Sequence, residues 1–166
     1  HPSTLLLEDG KTILCAYPRG HGKGAIVLKR SEDGGATWSP PLPTPENWAT
    51  SLETPTLHRL VDPKDGSKRI VLFSGLFPAR RAVSSDDGRT WTPLEKVGDW
   101  GGIVVMSSVI ATPDGKAIAF FHDDGRFLRA GGRFTGRSTV YSSTSTDGGQ
   151  TWGEPKALLS DPEAFL

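Results

Sequence analysis

Four side chains in this sequence have the chemistry to move protons at a bound substrate: His21, Glu53, Asp123 and Asp124. Imidazole and carboxylate are the common general acids and bases, and a pair of carboxylates is enough to cleave an acetal bond. Around them stand groups suited to holding an anionic or hydroxyl-rich ligand: Arg19, Arg80, Arg81, His122, Arg126 and Trp100. Arginine forks grip carboxylates bidentately, and an indole offers a flat apolar face. A second set looks equally reactive. The run SEDGGATW at 31–38 places Ser, Asp, Thr and Trp in fixed register.

That second set is structural, because it recurs. SSDDGRTW occupies 84–91 and STDGGQTW occupies 145–152, so the starts are 53 and 61 residues apart. The shared skeleton is Ser31, Asp33, Gly35, Thr37, Trp38; then Ser84, Asp86, Gly88, Thr90, Trp91; then Ser145, Asp147, Gly149, Thr151, Trp152. Each residue has a local task. Asp accepts backbone N–H groups and sets the turn, Gly supplies positive φ, the hydroxyls close further bonds, and Trp buries a ring between neighbouring elements.

The elements around each copy read as strands. An alternating β-rich run precedes each copy (AIVLKRS, RRAVSS, STVYSSTS), and a Pro-containing extended run follows it. Upstream lie two more apolar runs joined by an Asp-Gly turn, a hairpin signal. Each unit is therefore expected to be a four-stranded antiparallel meander. Such units repeating at about 50 residues describe the blades of a β-propeller. The fold class is all-β, with three blades at about 1–45, 53–97 and 103–159 and the start of a fourth at 160–166.

Bulk composition agrees with short strands and many turns. Gly 20 and Pro 13 favour backbone punctuation over long helices. The 19 basic and 19 acidic residues cancel, so bulk charge suggests no nucleic-acid or anionic-membrane partner. No apolar run approaches the roughly 18 residues of a membrane span. Cys15 is the only cysteine, so no internal disulfide forms, and no Cys/His spacing indicates a metal. No cofactor is expected. The opening HPSTLLL, without an initiator Met, reads as a processed or excised piece.

Meander geometry also says where a site belongs. The repeated turns and the Asp-Gly hairpins share one rim of the propeller. With those turns assigned to structure, the other loops are where a ligand face is expected. In the first unit this is PRGHGKG, with Arg19 and His21; in the second it is LFPARR, with Arg80 and Arg81; in the third it is HDDGRFLRAGGRFTGR, with His122, Asp123, Asp124 and Arg126. The connections between units add Glu53 and Trp100. Plainer readings stand beside these. His21 and the third-loop arginines also suit a solvated loop, Asp-Asp-Gly is ordinary turn chemistry, and Trp100 suits a core. Arg80 and Arg81 are adjacent, so in a strand only one can face a given side.

The three boxes and their phrasing within blades, above all GKAIAFFHDDG…STVYSSTSTDGGQTWGEPKAL, resemble the Asp-box (BNR-repeat) propellers of the sialidase superfamily over essentially the whole chain. The resemblance implies a six-bladed ring of which this chain supplies about half, closed by further chain or by self-association. It implies an exo-acting glycoside hydrolase working on terminal, acidic sugars of glycans, and a secreted or periplasmic location. Alternatives are a non-catalytic glycan- or protein-binding Asp-box propeller and a related enzyme acting on another sugar. The family's arginine cluster, tyrosine–glutamate nucleophile and aspartate acid/base have no full counterpart here. The segment delivering the first arginine is absent, and Tyr17 and Tyr141 sit inside expected strands.

Overall fold

The computed structural model describes residues 1–161, and residues 162–166, most of the expected fourth-blade start, lie outside them. Three antiparallel sheets follow one another along the chain. The first holds β1 (Ser3–Leu6), β2 (Ile13–Pro18) and β3 (Ile26–Ser31). The second holds β4 (Thr56–Val61), β5 (Lys68–Ser74), β6 (Arg80–Ser84) and β7 (Glu95–Lys96). The third holds β8 (Ile103–Ala111), β9 (Ala117–Asp123), β10 (Ser138–Ser145) and β11 (Lys156–Asp161). Each is a simple meander in chain order, and the fold is that of propeller blades. A short helical turn, Glu46–Thr50, lies between the first two sheets.

The first sheet has three strands where four were expected, and proline is the reason. In SPPLPTP the ladder can use only the amides that exist: Ser39 N–H donates to Arg30 O at 2.9 Å and Leu42 N–H to Leu28 O at 2.8 Å. Pro40, Pro41 and Pro43 have no N–H to give. The segment lies alongside β3 in the place of a fourth strand but without its ladder.

First strands neighbour one another and tie the sheets at their inner edge. Leu57 N–H donates to Ser3 Oγ at 3.0 Å, and Thr56 Oγ1 to Val105 O at 3.2 Å. Alternation along the strands then fills two seams. Leu14, Ala16 and Leu28 of the first sheet meet Leu57, Ile70 and Leu72 of the second. Val71 and Phe73, on the opposite face of β5, meet Val105, Ala119 and Phe121 of the third. One strand thus serves two cores by its period of two.

The repeated turn locks each seam. In all three copies the Ser hydroxyl donates to Asp Oδ1 at 2.8 Å, Thr N–H donates to Asp Oδ1 at 2.9 Å, and Thr Oγ1 donates to Asp Oδ2 at 2.5–2.6 Å. Trp Nε1–H closes the turn on the Gly carbonyl at 3.1–3.2 Å. Gly88 has φ +77°, and a Cβ there would strike Leu14 of the preceding sheet. The ring goes the same way. Trp152 is 8% exposed and meets Phe73 edge-on at 5.6 Å, while Trp91 packs against Trp48 at 5.4 Å. Trp38, with no preceding sheet among the described residues, is 39% exposed.

Two outcomes follow. Trp152→Ala should cost about 3–5 kcal/mol in urea unfolding, and Trp38→Ala less than about 1 kcal/mol. The hydrogen bonds of Thr37 and Thr90 pull the Asp33 and Asp86 carboxyls from 3.8 to about 2. A depressed carboxyl stabilises the fold fully above its unfolded value, and that contribution disappears as pH falls through about 2. Acid unfolding followed by circular dichroism should therefore have a component between about pH 4 and 2. Asp86→Asn should shrink it.

Candidate functional site

The rim opposite the repeated turns is built from three loops, 18–25, 75–79 and 124–137, and from the connections 46–55 and 97–102. The first rim is identified by its bonds: Gly34 N–H donates to Lys11 O at 3.0 Å, and Gln150 Nε2 to Asp62 Oδ2 at 3.3 Å, joining the repeated turns to the Asp-Gly hairpins. On the second rim the loops are stitched to one another. Gly102 N–H donates to Leu76 O at 3.1 Å, Gly101 N–H to Leu128 O at 3.2 Å, and Ala79 N–H to Trp100 O at 2.8 Å.

Glu53 stands in this stitched region. It is half-buried, and its Oε1 accepts the Thr54 N–H at 2.7 Å. A Cβ on Gly75 would lie 3.3 Å from Glu53 Cβ and Cγ and 2.8 Å from Gly102 O, so the glycine permits the glutamate to sit against the end of β5. His122, half-buried at the end of β9, faces the same rim. Burial pushes its pKa below 6.5, against the pull of Asp123, Asp124 and Glu53. That opposition places Glu53 and two aspartates within electrostatic reach of one imidazole.

The two aspartates differ. Asp123 is 1% exposed, and its carboxylate accepts Gly125 N–H at 2.7 Å and Phe127 N–H at 3.0 Å. Burial raises its pKa despite those bonds. It ties down the start of the long loop and offers no open oxygen. Asp124 takes the Arg126 fork, Nε at 2.8 Å and Nη2 at 2.6 Å, and the pairing holds its carboxyl below the ordinary range. Arg126 also lies over Phe127, 5.0 Å from the ring centre. Its charge is thus spent internally.

The other expected residues separate in the same way. Arg81 donates to Gln150 O at 2.9 Å and pairs with Glu95 at 3.3 Å, which binds the second sheet to the third. Trp100 is 1% exposed and stacked on Phe121 at 5.4 Å, so it presents no face to a ligand. Arg19 and His21 are exposed in the first loop, with His21 6.4 Å from the His1 ring. His58 is structural: its Nε2 lies 2.7 Å from Met106 O, and burial lowers its pKa.

Arg80 differs from all of these. Its guanidinium donates to Thr50 Oγ1 and Thr50 O, both at 2.7 Å, and burial lowers its pKa. No carboxylate lies within pairing distance of it among the described residues. It lines a cleft of about 350 Å³ with Thr50, Leu52, Gly75, Phe77 and Pro78, beside Glu53. Leu52, Phe77 and Thr50 were not recognisable from sequence, because Thr50 reaches Arg80 across 30 positions and no local pattern marks that pairing. β8 is also irregular here. Its register to β9 jumps between Ile103 and Ser108, with Val104 and Met106 at φ +47° and +57°. Such bulges re-aim a strand where it meets a site, at a cost of about 1–2 kcal/mol per strained residue.

No described group of His, Cys, Asp and Glu could hold a metal ion, and no described helix is long and apolar enough to cross a membrane. Comparison with known proteins gives a consistent architecture. A protein of unknown function from Dyadobacter fermentans DSM 18053 superposes with TM-score 0.58 at 22% identity, covering 94% of this chain and 50% of that one. An endo-arabinase from Bacteroides thetaiotaomicron VPI-5482 superposes with TM-score 0.59 at 15% identity, covering 96% and 55%. The chain therefore spans about half the length of each, and the likeness concerns the fold. No curated protein matches the chain. The BNR repeat-like domain matches residues 8–165, the same stretch that carries all three repeated turns. The chain belongs to the BNR repeat-like domain family.

Proposed function

We propose that this chain carries the working face of a glycan-processing propeller, an exo-acting glycoside hydrolase of the sialidase type in preferring a terminal sugar that bears a carboxylate. The observation that carries the reading is Arg80. Half-buried and hydrogen-bonded only to neutral Thr50 among the described residues, its guanidinium keeps N–H groups that a substrate carboxylate would take in a bidentate pair. The cleft around it, about 350 Å³, is large enough for a saccharide ring. Phe77 gives that ring an apolar wall, and the neighbouring Glu53 supplies a carboxylate for the anomeric carbon.

The chemistry assigned is acetal cleavage. The Glu53 carboxylate attacks the anomeric carbon as the glycosidic C–O bond breaks, and His122, in its imidazolium form, gives its proton to the departing oxygen. The neutral imidazole then takes a proton from the water that releases the sugar from Glu53. Three carboxylates around His122 favour the charged form that the first step needs, while burial keeps it a strong acid. The fold likeness to an endo-arabinase agrees with glycan chemistry on this architecture.

Fluorogenic glycosides with and without a carboxylate test the assignment. Glu53→Gln should lower kcat/KM about a thousandfold on the preferred substrate. Arg80→Gln should raise KM about ten- to a hundredfold for the acidic glycoside and leave a neutral one unchanged. Turnover of neutral glycosides alone would point to another sugar, and glycan binding without turnover to a non-catalytic module. The pH profile is a second check. With the His122 pKa below 6.5, kcat/KM should fall as pH rises through that lowered value. His122→Asn should remove this limb.

A further inference from the structure

On the opposite rim, one arginine is incompletely satisfied. Arg59, on β4, sits at the seam between the first two sheets with its side chain 18% exposed. Its Nη1 donates to Asp87 Oδ1 at 3.3 Å, a long contact to a side chain that is itself 59% exposed. Its Nη2 is buried and has no hydrogen-bond partner among the described residues. Buried donors of this kind are rare, and a charged one is costly.

The surroundings say what would satisfy it. Arg59 lines a cavity of about 170 Å³ with Lys68, Arg69, Ser84, Glu8 and Asp87. Arg59 and Lys68 face the cavity with Asp87 and Glu8 as their carboxylate partners, while the Arg69 guanidinium points from the opposite face of β5. Lys68 is held to Glu8 at 2.7 Å, and Arg69 leans away toward Asp62 at 3.4 Å. On the opposite face of the same sheet, at the next seam, another guanidinium is fully met. There Arg69 donates to Asp147 O at 3.0 Å and to Ser67 Oγ at 2.9 Å as well as to Asp62, so its guanidinium meets three acceptors. At the Arg59 seam an acceptor is short and a space lies beside it.

We propose that this cavity is a binding site for a small tetrahedral oxyanion, sulfate or phosphate, held by the spare donor of Arg59 and by Lys68 at the seam of the first two sheets. The site is independent of the glycan cleft, since it lies on the other rim and shares no residue with it. Bound there, the anion takes the Arg59 donor that the protein leaves unmet and bridges β4 to β5 through Arg59 and Lys68. It acts as a removable link within the second sheet and stabilises the fold in proportion to its occupancy.

Calorimetric titration of the intact chain with sodium sulfate, sodium phosphate and sodium chloride tests the site. Ionic strength is held constant and the oxyanion kept below about 10 mM, because concentrated sulfate stabilises proteins by exclusion alone. Saturable binding of sulfate or phosphate, absent for chloride, is expected. Arg59→Gln should weaken it at least tenfold, and Lys68→Gln, a change at a half-exposed position that leaves the seam packed, should weaken it severalfold. A sulfated disaccharide run in parallel separates sources: equal or tighter binding assigns the site to a glycan-borne group, weaker binding to the free ion. No saturable signal for any oxyanion overturns the proposal. So does a signal that persists unchanged in both variants.

Discussion

Everything in this molecule depends on the seat of a glycine-led turn against the sheet before it. Gly88 sits where any side chain would strike Leu14, and Gly149 is equally close to Leu60. That approach brings Trp91 and Trp152 into the seam cores, where a large ring can be buried. The Ser–Asp–Thr hydrogen bonds serve the approach by holding the turn in one shape. They also explain why ionised aspartate is tolerated there: its oxygens accept backbone and hydroxyl donors, which keeps the carboxyl charged far below its ordinary value.

A rim pinned in this way constrains the opposite one. The strands deliver their far ends at fixed positions, so the loops there can vary and still be registered to one another. The bonds among Leu76, Gly102, Gly101 and Leu128 use that registration to fuse three loops from two sheets. Glu53 rests against the fused part, and the long 124–137 loop is closed on itself by Thr135 N–H to Asp124 O at 2.8 Å. Rigidity at the box rim is thus carried through the sheets to the groups that face a ligand.

The repeats, the all-β class and the division into two rims were legible in the sequence because they rest on local patterns. Period-two apolar runs, Asp-Gly hairpins and a five-position motif each report on neighbours within a few residues. The third-strand limit of the first sheet was not anticipated, since the effect of three prolines on a ladder depends on which amides face β3. The fates of the candidate site residues were not legible either. Arg81 is consumed by Gln150 and Glu95, Arg126 by Asp124, and Trp100 by Phe121. Of these partners only Asp124 is close in sequence, and an Asp-x-Arg spacing does not announce a bidentate pair.

The arginines show how residue type and role come apart in a repeat protein. Arg69, Arg81, Arg126 and Arg129 have carboxylate partners, and the donors of the first three are met by the protein itself; each fastens one element to another. Among the described residues Arg80 has neutral partners only, and Arg59 has one long ion pair and a buried donor left over. These two lie at the same seam, at opposite ends, and each borders a cavity. A fold that can saturate a guanidinium at one seam has the geometry to do so at the next. At Arg59 the buried Nη2 carries the cost of an unmet donor. Donors to spare, rather than positive charge itself, set these two apart from the fastening arginines.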